Sequence, residues 1–202
     1  TYDLLLKYEL NIFDEVDLRV EHCLLSLPGE SLSDIRRIYS RPQALAQCEE
    51  FLSSLDAELI PTYDTAGSAK FIKEKGLRDS AAIASKRVSQ IYGMETLAEG
   101  IETNPKNFTR FFIISREKAK YAPRNKTSLI FRTKNTPGAL YQSLGAFATR
   151  GVNLTKLESR PAKDTPWEYI FYLDFEGHMK DELCKEALEE LRSKGTFLKI
   201  LG

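Results

Sequence analysis

Apolar residues recur along this chain in two rhythms, and the first half alternates between them. Val16, Leu18, Val20, His22 and Leu24 share one parity, the period-two mark of a strand with one buried face. Pro28-Gly29 then turns the chain. Ile35 to Tyr39 reads either as a short strand or as the end of a helix. Ser40-Arg41-Pro42 reads as a helix start, a capping hydroxyl with an early proline. The helix Gln43 to Leu55 then places Leu45, Cys48, Phe51, Leu52 and Leu55 on one side. Ala57 to Pro61 is a strand, Asp64-Thr65 a second cap, and the helix Ala66 to Lys75 stops at Gly76. Ala81 to Ala84 is a short buried strand, Ser85 a third cap, and Lys86 to Tyr92 a helix ended by Gly93. Glu95 to Ile101 leads into Asn107 to Ser115, an apolar strand with Thr109 and Arg110 at its entrance.

Strand–helix alternation predicts a parallel sheet with helices packed on it. Ligands of such sheets sit at the carboxyl ends of the strands, facing helix N-termini. The helix starts at Ser40, Thr65 and Ser85 each offer backbone N–H groups and a hydroxyl to a carboxylate or phosphate, or else are caps and nothing more.

Residues 116–126, basic and interrupted by Pro123, form a polar linker. Beyond it Thr127 to Arg132 is a strand, and Asn135-Thr136-Pro137-Gly138 opens a helix with Leu140, Leu144, Phe147 and Ala148 on one side. Gly151 ends that helix, Val152 to Glu158 is a strand, and Arg160 to Pro166 is rich in turns. Tyr169, Phe171, Leu173 and Phe175 alternate along a third strand. Leu183, Cys184, Ala187, Leu188 and Leu191 line a second helix, and Phe197 to Leu201 closes as a fourth strand. The order βαββαβ is the ferredoxin-like arrangement. The chain thus divides into an α/β lobe (1–115), the linker, and an α+β module (127–202). Small two-layer modules leave a sheet edge open, so we expect a dimer.

Composition narrows the class. With 42% apolar and 29% charged residues the 202-residue chain is ordinary globular protein, and 29 acids balance 29 bases. Such neutrality carries no nucleic-acid or membrane-surface footprint, and no run of about 18 apolar residues exists to span a bilayer. Cys23, Cys48 and Cys184 are odd in number and widely spaced, which predicts free buried thiols, a reducing cytoplasmic setting and no metal site. The sequence begins at Thr1 without Met, the start expected of a fragment.

The histidines are His22 and His178; no Ser/His/Asp or Cys/His triad can be assembled from them, and no GxSxG, GxGxxG or Walker sequence is present. His22 shares the parity of buried strand residues and is expected to be a satisfied core histidine, while His178 is expected to be exposed at a helix start. What remains are hydroxyls, amides and arginines at helix and strand ends. That set suits a small anionic ligand held electrostatically, whose reaction needs a proton donor and no organic cofactor.

Asn107-Phe108-Thr109-Arg110-Phe111 resembles the Thr-Arg-Phe signature of prephenate dehydratases. His22-Cys23-Leu24, Ser40 to Cys48, Tyr63 to Ala69, Ala82 to Ser85 and Leu97 to Ile101 are similar to the same family in the same order. In the second module, Asn135 to Leu140 and Leu157-Glu158-Ser159-Arg160-Pro161 resemble the family's regulatory ACT domain. The resemblance implies a periplasmic-binding-protein-like α/β lobe followed by a ferredoxin-like ACT domain. It also implies a carbon–oxygen lyase reaction in phenylalanine biosynthesis: prephenate loses its ring hydroxyl and a carboxylate together to give phenylpyruvate, water and carbon dioxide.

By that resemblance Thr109 assists departure of the hydroxyl and Gln47 orients the substrate. Thr109 is a very weak acid alone, so its role requires an assisting polar group. Arg110, Ser40, Thr65 and Ser85 are candidate contacts to the substrate carboxylates, with a structural ion pair the rival role for Arg110. Gly138, Ala139, Leu140, Asn153, Leu154, Glu158, Ser159 and Arg160 correspond to the family's phenylalanine pocket, formed between two ACT domains of a homodimer or homotetramer, through which L-phenylalanine inhibits. The family's N-terminal lobe, with its Gly-rich segment and Asn-x-Ser motif, is absent from this sequence, so little turnover is expected from the 202 residues alone. Three functions stay open on this footing: prephenate dehydratase (or its relative acting on arogenate), a non-catalytic amino-acid sensor, and a binding module without chemistry.

Overall fold

The computed structural model describes residues 2–162 and 165–202. Helix α1 (Tyr2–Lys7) and strand β1 (Asn11–Arg19) open the chain. Two compact units follow from the contacts: Asp17–Arg110, and Thr1–Val16 with Phe111–Gly202. The first sixteen residues therefore belong with the C-terminal unit and do not extend the α/β lobe.

The lobe carries β2 (Cys23–Ser26), β3 (Arg37–Ser40), α2 (Pro42–Gln47), α3 (Glu49–Ser53), β4 (Glu58–Pro61), α4 (Thr65–Lys75), β5 (Ser80–Ala84), α5 (Lys86–Tyr92) and β6 (Glu95–Glu99). Its five-stranded sheet runs β4-β3-β5-β2-β6. Strands β3, β4 and β5 are parallel, but β2 is antiparallel to both β5 and β6, so the sheet is mixed where strand–helix alternation predicted a parallel one. The segment joining β2 to β3 contains only a 3-10 turn, Leu32–Asp34, and it reverses the chain direction while stepping past β5, which lies between the two strands, so no crossover helix is needed.

Strand β5 explains why the lobe has two apolar layers. Its Ala81 and Ile83 face Leu24, Ile38, Leu45, Cys48 and Leu52, while Ala82 and Ala84 face Leu25, Ala69, Ile72 and Val88. Alternate residues thus serve opposite faces, and small alanines let helices approach both. The single helix expected over Gln43 to Leu55 is two, α2 and α3, broken at Cys48 (φ −111°, ψ 18°), yet Leu45, Cys48 and Leu52 still face one core as their spacing implies.

The chain enters and leaves the lobe on β1 and β7 (Phe108–Ser115), which pair as a two-stranded sheet. A two-stranded sheet lacks a third layer, so Val16 and Leu18 are about half exposed, at 49% and 56%, and the parity run through them does not continue as one strand into Leu24. Phe111 and Ile113 of β7 are likewise exposed.

The second unit is β8 (Lys126–Thr133), α6 (Ala139–Ala148), β9 (Leu154–Pro161), β10 (Tyr169–Glu176), α7 (Glu182–Lys194) and β11 (Gly195–Ile200), an antiparallel sheet of order β11-β8-β10-β9. This is the βαββαβ order expected. Within the turn-rich stretch Arg160 to Pro166, Lys163 and Asp164 lie outside the described residues. Both helices pack on one face, where Phe131, Phe171, Leu173 and Phe175 meet Phe147, Ala187, Leu188 and Leu191. The opposite face is also covered: Leu5, Ile12, Leu201 and Ala162 bury Ile130, Ile170 and Tyr172. Lys199 Nζ fastens the opening segment by donating to the Tyr8 carbonyl at 2.8 Å and to Glu9 at 3.0 Å. Asp181 holds the N-cap position of α7 and accepts the His178 N–H at 2.8 Å, and His178 is half-buried against the Tyr121 ring (centroids 5.0 Å apart), not exposed at a helix start as expected.

Leu173 is fully buried between the helices and the sheet. Leu173→Ala is expected to lower the free energy of unfolding by about 3 kcal/mol, measured from urea midpoints at unchanged slope.

Candidate functional site

Parallel strands β3, β4 and β5 end on the same edge of the lobe, and each leads straight into a helix. The three helix starts differ in what they can offer. Ser40 is the last residue of β3, wholly buried, and its hydroxyl donates to the Ile83 carbonyl at 2.8 Å. It ties β3 to β5 instead of capping α2, whose N-cap is the exposed Arg41. Thr65 is the first residue of α4, and the cap is the Asp64 carboxylate, which accepts from the Gly67 N–H at 2.9 Å. A carboxylate already seated there repels a second anion. Ser85 caps α5 without a side-chain hydrogen bond of its own and is exposed. Arg41 and Ser85 are therefore the exposed N-cap groups on this edge that make no side-chain cap hydrogen bond. Tyr63, on the same edge between β4 and α4, is 99% exposed.

Around Gln47 the lobe is held more tightly. The stretch Ile101 to Thr103, between β6 and β7, grips two other segments by their main chains. Ile101 N–H donates to the His22 carbonyl (3.1 Å), the Glu102 carboxylate accepts the His22 N–H (3.0 Å), and Thr103 N–H donates to the Gln47 carbonyl (2.8 Å). The Thr103 hydroxyl also accepts from Glu50 N–H at 3.3 Å. So fixed, the His22 ring and the Gln47 amide meet with Nε2 2.9 Å from Oε1. Gln47 Nε2 in turn reaches Asn107 Oδ1 at 3.5 Å. His22 is buried as expected of a core histidine.

Asn107 stands just before β7 and shares the parity of Thr109, so both side chains leave the same side of the extended chain. Thr109 is exposed. Arg110, on the alternate side, is half-buried and already engaged. A cavity of about 450 Å³ opens beside this cluster, lined by Gln47, Glu49, Glu50, Glu102, Lys106 and Asn107 among others. Its lining carries three carboxylates, Glu49, Glu50 and Glu102, against the one ammonium of Lys106, a balance that disfavours an anion inside it.

The second unit separates the residues expected to bind phenylalanine. Asn153 and Leu154 line a largely apolar cavity of about 600 Å³ with Tyr141, Leu144, Ala148 and Lys194. Gly138 holds a left-handed backbone (φ 79°) that opens α6 at Ala139, and Leu140 packs toward the helix–sheet core. Glu158, Ser159 and Arg160 lie toward the other end of β9, about 14 to 20 Å from Leu154 along the strand. Burial pushes the Glu158 carboxyl up, but the hydrogen bond from Arg160 (2.9 Å) and the charge of Lys156 outweigh it and hold the group below the usual range. One chain does not gather these eight residues.

Arg41, Glu102 and Asn107 were not singled out from sequence. Asn107 could have been, since it opens the stretch that carries Thr109. Glu102 has no local signal, because its partners are distant in sequence.

A family model described as "Prephenate dehydratase" matches residues 1–119, and one described as "ACT domain" matches residues 127–193. Over its whole length the chain is 43% identical to arogenate dehydratase/prephenate dehydratase 2, chloroplastic, of Arabidopsis thaliana, covering 56% of that protein. The chain spans just over half the length of the curated relatives it matches. A prephenate dehydratase from Arthrobacter aurescens, solved in complex with L-Phe, is 34% identical with a TM-score of 0.87, over 96% of this chain and 65% of that one. GqqA, described as a novel type of quorum quenching acylase, is 40% identical with a TM-score of 0.87, over 98% of this chain and 73% of that one.

Cys48 lies at the break between α2 and α3, wholly buried, and burial with the nearby Glu102 charge pushes its thiol up to about 12. At pH 8 a chromogenic aromatic disulfide is expected to leave Cys48 unmodified in the native protein and to react after addition of urea. The unfolded chain releases this proton near pH 9 while the native state keeps it, so the Cys48 contribution to stability declines as pH rises from about 9 to about 12.

Proposed function

Because the chain belongs to the prephenate dehydratase family, we propose that it carries the Thr109 side of a dehydratase site together with a phenylalanine-responsive ACT domain. The observation that carries this reading is the amide pair Gln47–Asn107 placed immediately before the strand of Thr109, Arg110 and Phe111. Prephenate is the substrate we propose, with arogenate, its amino counterpart, the alternative. In the reaction one carbon–carbon bond releases carbon dioxide, its electron pair completes the aromatic ring, and the ring hydroxyl leaves with one proton as water. Aromatisation drives these bond changes, so the protein's part is to donate a proton or hydrogen bond to the departing oxygen and to hold the carboxylates.

The Thr109 hydroxyl is the donor to the leaving oxygen. The amide N–H groups of Gln47 and Asn107 supply the polar support that a hydroxyl alone lacks. Arg41, with Ser85 at the start of β5's helix, balances carboxylate charge at the strand ends.

The ACT half binds L-phenylalanine between two copies. Strand β9 is an outer strand of its sheet. Centred antiparallel pairing of two β9 strands sets Leu154 of one copy opposite Pro161 of the other, bringing Asn153 and Leu154 up to a second Glu158-Ser159-Arg160. That juxtaposition supports a dimer, or a tetramer built from dimers, whose population phenylalanine shifts. The buried, unpaired Cys23, Cys48 and Cys184 fit a reducing, cytoplasmic setting. Among the described residues no helix is long and apolar enough to cross a membrane.

Turnover of prephenate and arogenate by the full chain encoded by the gene tests the catalytic reading: Thr109→Ala is expected to lower kcat about a hundredfold or more at little changed KM. Calorimetric titration of phenylalanine, with sedimentation of the same sample, tests the regulatory one. One saturable site per chain on a dimer or tetramer is expected, lost in Glu158→Ala; a folded dimer that binds no phenylalanine would overturn it.

A further inference from the structure

We propose that His22 is a positioning residue that fixes which way the Gln47 amide points, and that Glu102 holds His22 in place to do so. This rests on the dehydratase reading of Gln47 and Asn107 given above.

The two ends of a glutamine amide are nearly equal in size and opposite in hydrogen-bonding character. Rotation by half a turn exchanges a donor for an acceptor at little steric cost, so orientation must be set by a neighbour. His22 Nε2 is that neighbour, 2.9 Å from Gln47 Oε1 in a part-buried contact, with His22 itself buried. With its proton on Nε2 the ring donates to Oε1, and the Gln47 NH2 group is left facing Asn107 Oδ1 and the cavity. Asn107 then accepts from Gln47, and its own Nδ2, buried, finds no hydrogen-bond partner among the described residues.

The consequence is a directed pair of donors. In this orientation a Gln47 N–H and the Asn107 Nδ2 are both uncommitted and both belong to residues lining the cavity. If Gln47 turned over, its carbonyl would face Asn107 and draw Nδ2 to itself. Asn107 Nδ2 would then donate to Gln47 Oε1 and the Gln47 NH2 group would turn toward His22, so neither donor would be held toward an oxygen atom of a ligand. A buried donor without a partner is costly unless a ligand supplies the acceptor, which is the arrangement expected of a site prepared for an oxygen-rich substrate.

The rest of the cluster keeps His22 from moving. Its N–H is held by the Glu102 carboxylate and its carbonyl by Ile101 N–H. The Glu102 side chain is 2% exposed and has Arg19 3.7 Å from its second oxygen. Gln47 is held through its carbonyl by the next residue along, Thr103. A single three-residue stretch therefore holds both partners, His22 just before β2 and Gln47 at the end of α2.

The test uses the full chain with His22→Phe, His22→Gln, Gln47→Ala and the double variant His22→Phe/Gln47→Ala. Phenylalanine fills the ring volume without a donor; glutamine restores an N–H near the Nε2 position. His22→Phe is expected to lower kcat for prephenate about tenfold to a hundredfold with a smaller change in KM, and His22→Gln to recover most of it. In the Gln47→Ala background His22→Phe should change kcat by less than about twofold, because its effect passes through the missing amide. Equal losses in both backgrounds, or full activity in a folded His22→Phe, would overturn the assignment. Nitrogen-15 NMR of the wild-type imidazole decides the contact without any assay: a proton on Nε2 is expected, and an unprotonated Nε2 would overturn the proposal. If the wild-type chain turns over neither prephenate nor arogenate, the dehydratase reading fails, and the NMR result still settles whether His22 orients Gln47.

Discussion

The arrangement around Gln47 depends on one constraint, the grip of Ile101 to Thr103 on two segments that lie far away in sequence. Main-chain hydrogen bonds hold His22 on one side and Gln47 on the other, and the buried Glu102 carboxylate completes the hold. Such bonds are directional and, shielded from water, costly to leave unmade, so the distance between the two side chains is set before any ligand arrives. The strand that follows places Asn107 against Gln47 and Thr109 two residues further on.

The edge of the sheet supplies the complementary charge. Parallel β3, β4 and β5 bring three helix starts to one edge, but local chemistry makes them unequal. One hydroxyl is consumed inside the sheet, one start is filled by Asp64, and one stays open beside the edge that carries Arg41. Electrostatics thus divides the lobe into a polar cavity poor in positive charge and an edge able to receive an anion. In the second unit the same principle works on a shorter scale, where Arg160 and Lys156 hold Glu158 ionised on an exposed edge strand.

Much of this was legible from the residues. The βαββαβ order, the helix ends at Gly76 and Gly93, and the shared face of Leu45, Cys48 and Leu52 all follow from periodicity and stop signals, because each is a property of neighbours in sequence. Where the pattern misled, the cause was tertiary. Val16 and Leu18 alternate as a half-buried strand should, but their strand pairs with only one other and gains no covering layer. Ser40 has the residue type and position of a cap, yet the sheet buries it and uses its hydroxyl to join β3 to β5.

The sequence by itself determined most of the strands and helices and which family the chain resembles, and it drew attention to Gln47 and Thr109. Those inferences rest on local propensity, spacing and motif, which the chain carries in linear order. Only the tertiary structure decided that β2 runs against its neighbours, that the opening residues cover the second sheet, and that His22, Glu102 and Asn107 gather around Gln47. Each of these joins positions tens of residues apart through hydrogen bonds and burial, and no short-range pattern encodes which distant partner a buried polar group will find.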